Sequence, residues 1–314
     1  MKRIAIIWLL ILSLILSLTG CKTEDSSEVA VTVGSASVYS DVFAYYLDEV
    51  LQNKDDSYTM ETAIADAEAL CKHYVIINTA FEEQGISLPS LVKASIVSEI
   101  DNTWNIYGNY YKKIGVSKET MTKVKYSEAY EEELITSIFG TGGEKEISEE
   151  DQKNYYAENY ICFKVIFVYL TGDETTDSSV KTTFEEMQKS INDDNSFESI
   201  YASYAEKVEL DPNADITTNI INSTSTDYPE QFFTDVKALD VGAVSVLTYD
   251  SYIFLVQRVD GSTYFSNYQR SILAAMATDS FESSISDSYG DITVSGSSST
   301  EKSCYKTIIS TKNK

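Results

Sequence analysis

The chain has 314 residues, of which 43% are hydrophobic and 12% aromatic, and its formal net charge is −25. That apolar content is enough for packed cores and excludes a globally disordered chain, while the length allows about one to three domains. The acidic excess repels DNA, RNA and anionic lipid headgroups, which excludes nucleic-acid binding and leaves a solubilising surface or an attraction for cationic partners.

Met1 to Cys21 reads as an address. Lys2 and Arg3 precede an apolar run, Ile4 to Leu18, that is too short and wrongly flanked for an ordinary spanning helix. It ends in Leu18-Thr19-Gly20-Cys21, which resembles a bacterial lipobox. Residues 1–20 are therefore expected to be a lipoprotein signal peptide, Cys21 the lipidation site and residues 21–28 a polar tether. Two acyl chains on one thiol give stable anchoring where one is marginal, so the expected location is the outer face of the cytoplasmic membrane. Cys71, Cys162 and Cys304 are widely spaced and odd in number, which indicates neither a disulfide framework nor a zinc site. No metal and no cofactor are expected.

Val29 to Val33 reads as a short strand, Gly34-Ser35 as a turn, and Ser40 to Leu47 as the start of a helix. Glu61 to Gln84 is amphipathic, with Ile64, Ala67, Cys71, Tyr74, Ile77 and Phe81 at spacings of three and four, and Gly85 stops it. A second helix pattern runs from Pro89 to about Lys113 and stops at Gly115; a third runs from Ser117 through Phe139. His73, the single histidine, has no local partner to make it a base or a ligand, and is expected to be a surface or partly packed helix residue. Tyr45, Tyr46, Tyr107, Tyr110, Tyr111, Tyr126 and Tyr130 either offer a greasy contact surface or fill gaps between helices.

Glu146 to Leu170 is the hinge of the chain. Ser148, with Asp151 three residues on, caps a helix, and Phe163 to Tyr169 then switches to a buried-strand pattern. Beyond it come a helix pattern at Asp177 to Asp193 with Asp177 as a candidate cap, a short helix near Phe197, and strands near Val244 and Ile253. Thr263 to Ser286 is again helical, Asp291 to Val294 could pair with Val29 to Val33, and residues 296–314 are expected to be a flexible tail.

Several stretches carry a family resemblance. Val31 to Leu47 resembles the opening of SurA-like amino-terminal domains, and Tyr155-Tyr156-Ala157-Glu158-Asn159 resembles the helix end that feeds a parvulin domain in PrsA-type foldases. Ser196 to Ala202, Pro229 to Phe233, Ala238 to Ser245 and Thr248 to Val256 resemble successive parvulin segments in the family's order. The resemblance implies an α+β chain in which a mostly helical SurA-like domain, residues 29–158 with 261–295, carries an inserted parvulin-like unit, residues 159–260. It also implies a proline pocket with a polar floor. Phe232 falls on the proline-stacking aromatic, Tyr228 on a pocket wall and Thr248 on a pocket hydroxyl. Val165 and Ile253 fall where the family has imidazoles, and Lys207 near its Cys or Asp. No catalytic residue is assigned.

The function that the resemblance implies is a membrane-tethered folding helper. It would bind unfolded or newly exported polypeptides without efficient prolyl isomerisation, because Val165 and Ile253 would pack against each other as ordinary sheet core. An active isomerase and a surface lipoprotein binding a small solute or wall component are the alternatives.

Overall fold

A computed structural model describes residues 27–52, 58–192, 194–208 and 210–312. The signal peptide, Cys21 and most of the expected tether lie outside the described residues. In chain order the elements are β1 (Val29–Val33), β2 (Ala36–Tyr39), α1 (Ser40–Gln52), α2 (Met60–Gln84), α3 (Ser90–Lys113), α4 (Lys118–Phe139), α5 (Glu149–Asn159), β3 (Tyr160–Tyr169), α6 (Glu174–Ser190) and α7 (Phe197–Tyr204). They continue with β4 (Asn219–Asn222), α8 (Phe232–Lys237), β5 (Val244–Tyr249), β6 (Tyr252–Arg258), α9 (Phe265–Tyr289), β7 (Val294–Gly296) and α10 (Ser298–Lys312). The chain divides into two compact units: residues up to Glu146 together with Ala277–Lys314, and Ile147–Met276.

The first unit is mostly helical. Two of its helices, α2 and α4, start where side-chain oxygens satisfy free backbone N–H groups: Thr59 accepts from Thr62 N, and Ser117 from Thr120 N, each cap contributing about 1 kcal/mol. Gly85 ends α2 in the left-handed region at φ 64°, which a Cβ would strain. The core is apolar and closed, with Phe43, Leu47, Ala67, Cys71, Ile77, Ile100 and Leu134 fully buried. The tyrosines mostly fill gaps between these helices. Tyr45 stacks on Tyr111, and Phe81 on Tyr130 at 3.9 Å, whereas Tyr107 is 56% exposed.

The end of the chain corrects the sequence reading. The strand expected at Asp291 to Val294 lies two to three residues on, and pairs antiparallel with β1 as Val33↔Val294, Thr32↔Ser295 and Val31↔Gly296. The expected flexible tail, residues 296–314, is instead strand end and helix through Lys312; Asn313 and Lys314 lie outside the described residues. The serines and threonines of α10 hid it, because its apolar side is narrow. It is fixed by tertiary partners. Ile308 is fully buried, Thr300 donates to Glu28, and Lys312 Nζ lies 3.0 Å from the carboxylate of Asp48. Asp48 is itself buried, and accepts from Tyr110 Oη at 2.5 Å and Gln52 Nε2 at 3.0 Å.

A second clasp on α10 is pH-dependent. The buried Glu301 carboxyl is pushed up to about 7 by burial and by its hydrogen bond with Glu68, with Lys302 opposing. A Cβ on Gly296 would fall on both carboxyls, so this strand end approaches them as only glycine does. In the unfolded chain a glutamate ionises near about 4.3. Between these values the folded state holds the extra proton, so this contribution to stability is full at low pH and is lost as pH rises through about 7. Thermal melts of the wild type against Glu301→Gln should show the wild type losing more stability between about pH 5 and pH 8 than the variant. Parallel curves would refute the shared proton.

The second unit is a four-stranded antiparallel sheet in the order β4-β3-β6-β5. Side chains alternate between its faces. Ile166, Ile253 and Leu255 face Phe184 and Met187 of α6 and Phe197 and Tyr201 of α7. Ile161, Phe163, Phe254 and Val256 face Phe232 and Val236 of α8. The unit is longer than the expected 159–260, because Tyr156 of α5 and Phe265 and Ile272 of α9 form a further core around Cys162. Ser148 caps α5 as its sequence implies, accepting from Asp151 N at 3.1 Å. The cap of α6 is Asp173, not Asp177. Asp177 instead accepts from Thr171 N and Gly172 N and so braces the turn before the helix. The helix ends at Ser190, and Asp193, expected as its last residue, lies outside the described residues.

Candidate functional site

The α8 face of the sheet carries an open groove of about 920 Å³. Its floor is a run of rings that the antiparallel register places together. Phe167 opposes Phe254 and Tyr169 opposes Tyr252 across β3 and β6, while Leu247 and Tyr249 continue the face on β5. Tyr169 and Tyr252 lie 4.9 Å apart, Tyr252 and Phe254 5.6 Å, and Tyr249 and Phe254 5.7 Å. The stretch from Thr226 to Gln231 forms one wall, and the β5–β6 turn another. Phe167 is 43% exposed and Tyr169 63%, so two large rings lie bare on one sheet face, where isolated apolar side chains would need no explanation but a contiguous patch does.

Phe232, expected to stack on a proline, is 0% exposed. Tyr228 lies flat on it with ring centres 4.4 Å apart, and Phe163 and Phe254 flank it at 5.1 Å. The two wall residues are thus brought together, but one covers the other. A proline ring approaching from the groove meets Tyr228, and Phe232 serves as core.

The register corrects the expected floor. Val165 pairs with Val256 and packs on the Phe232 face. Ile253 pairs with Val168 and Thr248 and belongs to the opposite core, against α6 and α7. Val165 and Ile253 therefore do not pack against each other. Thr248 shares the strand position of Ile253 and reaches only the groove's edge. A shift of one residue along a strand exchanges the two faces. The pair one step on, Tyr249 and Phe254, keeps the spacing of five and does face the groove. Lys207 lies in the short turn of helix after α7, its Nζ over the ring of Tyr204 at 4.1 Å, and takes no part in the groove.

At this floor Tyr249 Oη donates to Asp235 Oδ2 at 2.9 Å. Burial, and then the Asp235 carboxylate, push the Tyr249 phenol far above its ordinary value. Burial does the same more mildly to Tyr228, and Tyr169 to Tyr252. All three are neutral at physiological pH, and none is a proton-transfer group there. Sequence reasoning missed Phe167, Tyr169, Tyr249, Tyr252 and Phe254; the alternation of rings in Phe167-Val168-Tyr169 and Tyr252-Ile253-Phe254 was the available signal.

His73 sits elsewhere, on α2 in the first unit. Its partner is Glu131 of α4, with Nε2 and Oε2 2.8 Å apart, and this hydrogen bond raises the imidazole's pKa. Both side chains are partly exposed, and Glu282 adds a further negative charge near the imidazole. Among the described residues no cluster of metal-ligating side chains forms, and no helix is long and apolar enough to cross a membrane.

No family model and no curated protein matches the sequence. Solved structures do. The foldase PrsA of Streptococcus pneumoniae is 20% identical, with 68% of this chain and 78% of that one covered and a TM-score of 0.39. PrsA of Lactococcus lactis is 14% identical, with 90% and 99% covered and a TM-score of 0.40. A structure from work on two SurA-like chaperones of Campylobacter jejuni is 12% identical, with 86% and 99% covered and a TM-score of 0.32. Over most of its length the chain is similar in structure to PrsA foldases and SurA-like chaperones, at identities too low to transfer an activity.

Proposed function

We propose that the protein is an extracytoplasmic folding helper, tethered to the membrane through Cys21, that holds unfolded segments of exported chains and has little or no prolyl isomerase activity. The observation that carries this reading is the groove of the second unit. It is open and ring-lined, as a site for sequence-tolerant apolar contact should be. The strand residues lining it include Phe167, Tyr169, Tyr249, Tyr252 and Phe254, none of them an imidazole, and Tyr228 covers the Phe232 ring. The barrier to amide rotation is about 18–20 kcal/mol. Lowering it takes polar groups aimed at the twisted amide, and Tyr249 already spends its hydroxyl on Asp235.

Two measurements test this. The mature chain should slow aggregation of a denatured client at stoichiometric amounts, and Phe167→Ala with Tyr169→Ala should weaken that protection. Exchange NMR on a short Xaa-Pro peptide should show no acceleration of cis/trans exchange. Robust acceleration would make the chain an isomerase working without histidine, and no suppression across several clients would end the holding role. For the tether, Cys21→Ala should abolish acyl labelling of the protein in cells; a labelled variant would place the anchor elsewhere.

A further inference from the structure

The charged residues around the groove are of one sign. Its rim carries Asp227, Glu230 and Asp250, all exposed, and among the described residues no lysine, arginine or histidine lines it. Of the three, only Asp227 has a side-chain hydrogen bond of its own, from Ser225 Oγ at 3.3 Å. The carboxylates therefore stand around exposed ring faces without a cation among the groove's own residues. Phe167, Tyr169 and Tyr252 are neutral rings whose faces carry partial negative charge, and such faces attract ammonium and guanidinium groups. Rings below and carboxylates around make one cation-binding environment from two independent kinds of contact.

We propose that the groove recognises a lysine or arginine side chain flanked by apolar residues in an extended client segment. The aliphatic stem of such a side chain covers the rings, and its charged head reaches the carboxylate rim. Acidic segments are rejected there, because a like charge meets both the rim and the ring faces. The occupant is argued from charge complementarity: the charged side chains lining the groove are all anionic and its floor is rich in rings, on a chain whose net charge of −25 favours basic polypeptides. The inference rests on the proposed client-binding role and adds a specificity to it.

The test is calorimetric titration of the mature chain with four apolar host peptides that differ at one central residue: Lys, Arg, Gln or Glu. The Lys and Arg peptides should bind on the order of five- to tenfold tighter than the Gln peptide, and the Glu peptide most weakly. Raised salt should narrow the gap by screening the rim. In the variant Asp227→Asn/Glu230→Gln/Asp250→Asn, which changes only exposed side chains, the affinity ratios of the Lys and Arg peptides to the Gln peptide should fall most of the way to one. Equal binding of all four peptides overturns the inference and leaves the client-binding role standing. A preference that survives unchanged in the triple variant also overturns it, since the selectivity then arises elsewhere. Binding of none of the peptides removes the client-binding role and this inference with it.

Discussion

Phe232→Ala is expected to destabilise the second unit by about 3–5 kcal/mol, the cost typical of emptying a fully buried aromatic site. The ring has no exposed surface, and touches Tyr228, Phe163, Phe254 and Tyr249. Removing it leaves a void between sheet and α8 that these four large rings cannot fill without leaving their rotamers. Tyr228 also loses the surface on which it lies, so the wall of the groove goes with the core. Because the chain has two units, the change should appear in the transition of the second one alone, followed by urea titration with probes in each unit. Tyr228→Ala, at a half-buried position, should cost clearly less. If Phe232→Ala were well tolerated while Tyr228→Ala unfolded the unit, Phe232 would be the groove's contact ring and not its support.

Ile308→Ala is expected to cost the first unit about 2–5 kcal/mol, and deletion of residues 298–314 to abolish its cooperative folding. The deletion removes the buried Ile308 side chain and exposes the core of β1, α1 and α2 beneath α10. It also strips Asp48 of Lys312. A buried carboxylate that loses its cation typically costs about 3–5 kcal/mol; Lys312 is partly exposed, so a discounted share of that applies here. Circular dichroism melts and hydrogen exchange on the truncated chain check the result. A truncated protein that melts like the full chain would return residues 298–314 to the status of a dispensable tail.

Much of this fold is legible in the residues. The periodicity of Ala67, Cys71, Ile77 and Phe81 marks one buried stripe of α2, and the left-handed Gly85 marks its end. Ser117 and Ser148 announce α4 and α5 through their caps. These signals are local: a cap needs three residues and a helical stripe about ten, and both act before any distant part of the chain is in place. The switch from helix to strand is legible for the same reason, read at Phe163 where the strand itself begins at Tyr160. Its run of branched and aromatic residues suits a pleated, half-buried surface and crowds a helix.

What only the tertiary structure decided lies where several alternatives have the same local pattern. Strand phase is the first. Thr248 with Ile253 and Tyr249 with Phe254 have the same spacing, and nothing in the segment tells which pair faces α8; pairing with β3 chooses, and turns the expected imidazole position into the opposite core. The second is burial of weakly amphipathic sequence. Ser298–Lys312 has a polar composition, and becomes a helix packed along one narrow side because β1, α1 and α2 offer Ile308 a site and Asp48 offers Lys312 a partner. The third is the groove. The sequence determined by itself that rings sit at alternate positions around Phe167 and Tyr252, but their meeting on one open face, with Asp227, Glu230 and Asp250 around it, comes from three segments far apart in the chain. Helices are specified within a few residues, whereas faces, partners and clefts are specified by long-range pairing, and that pairing sets Phe232 in the core beneath Tyr228 with an aromatic groove open beside them.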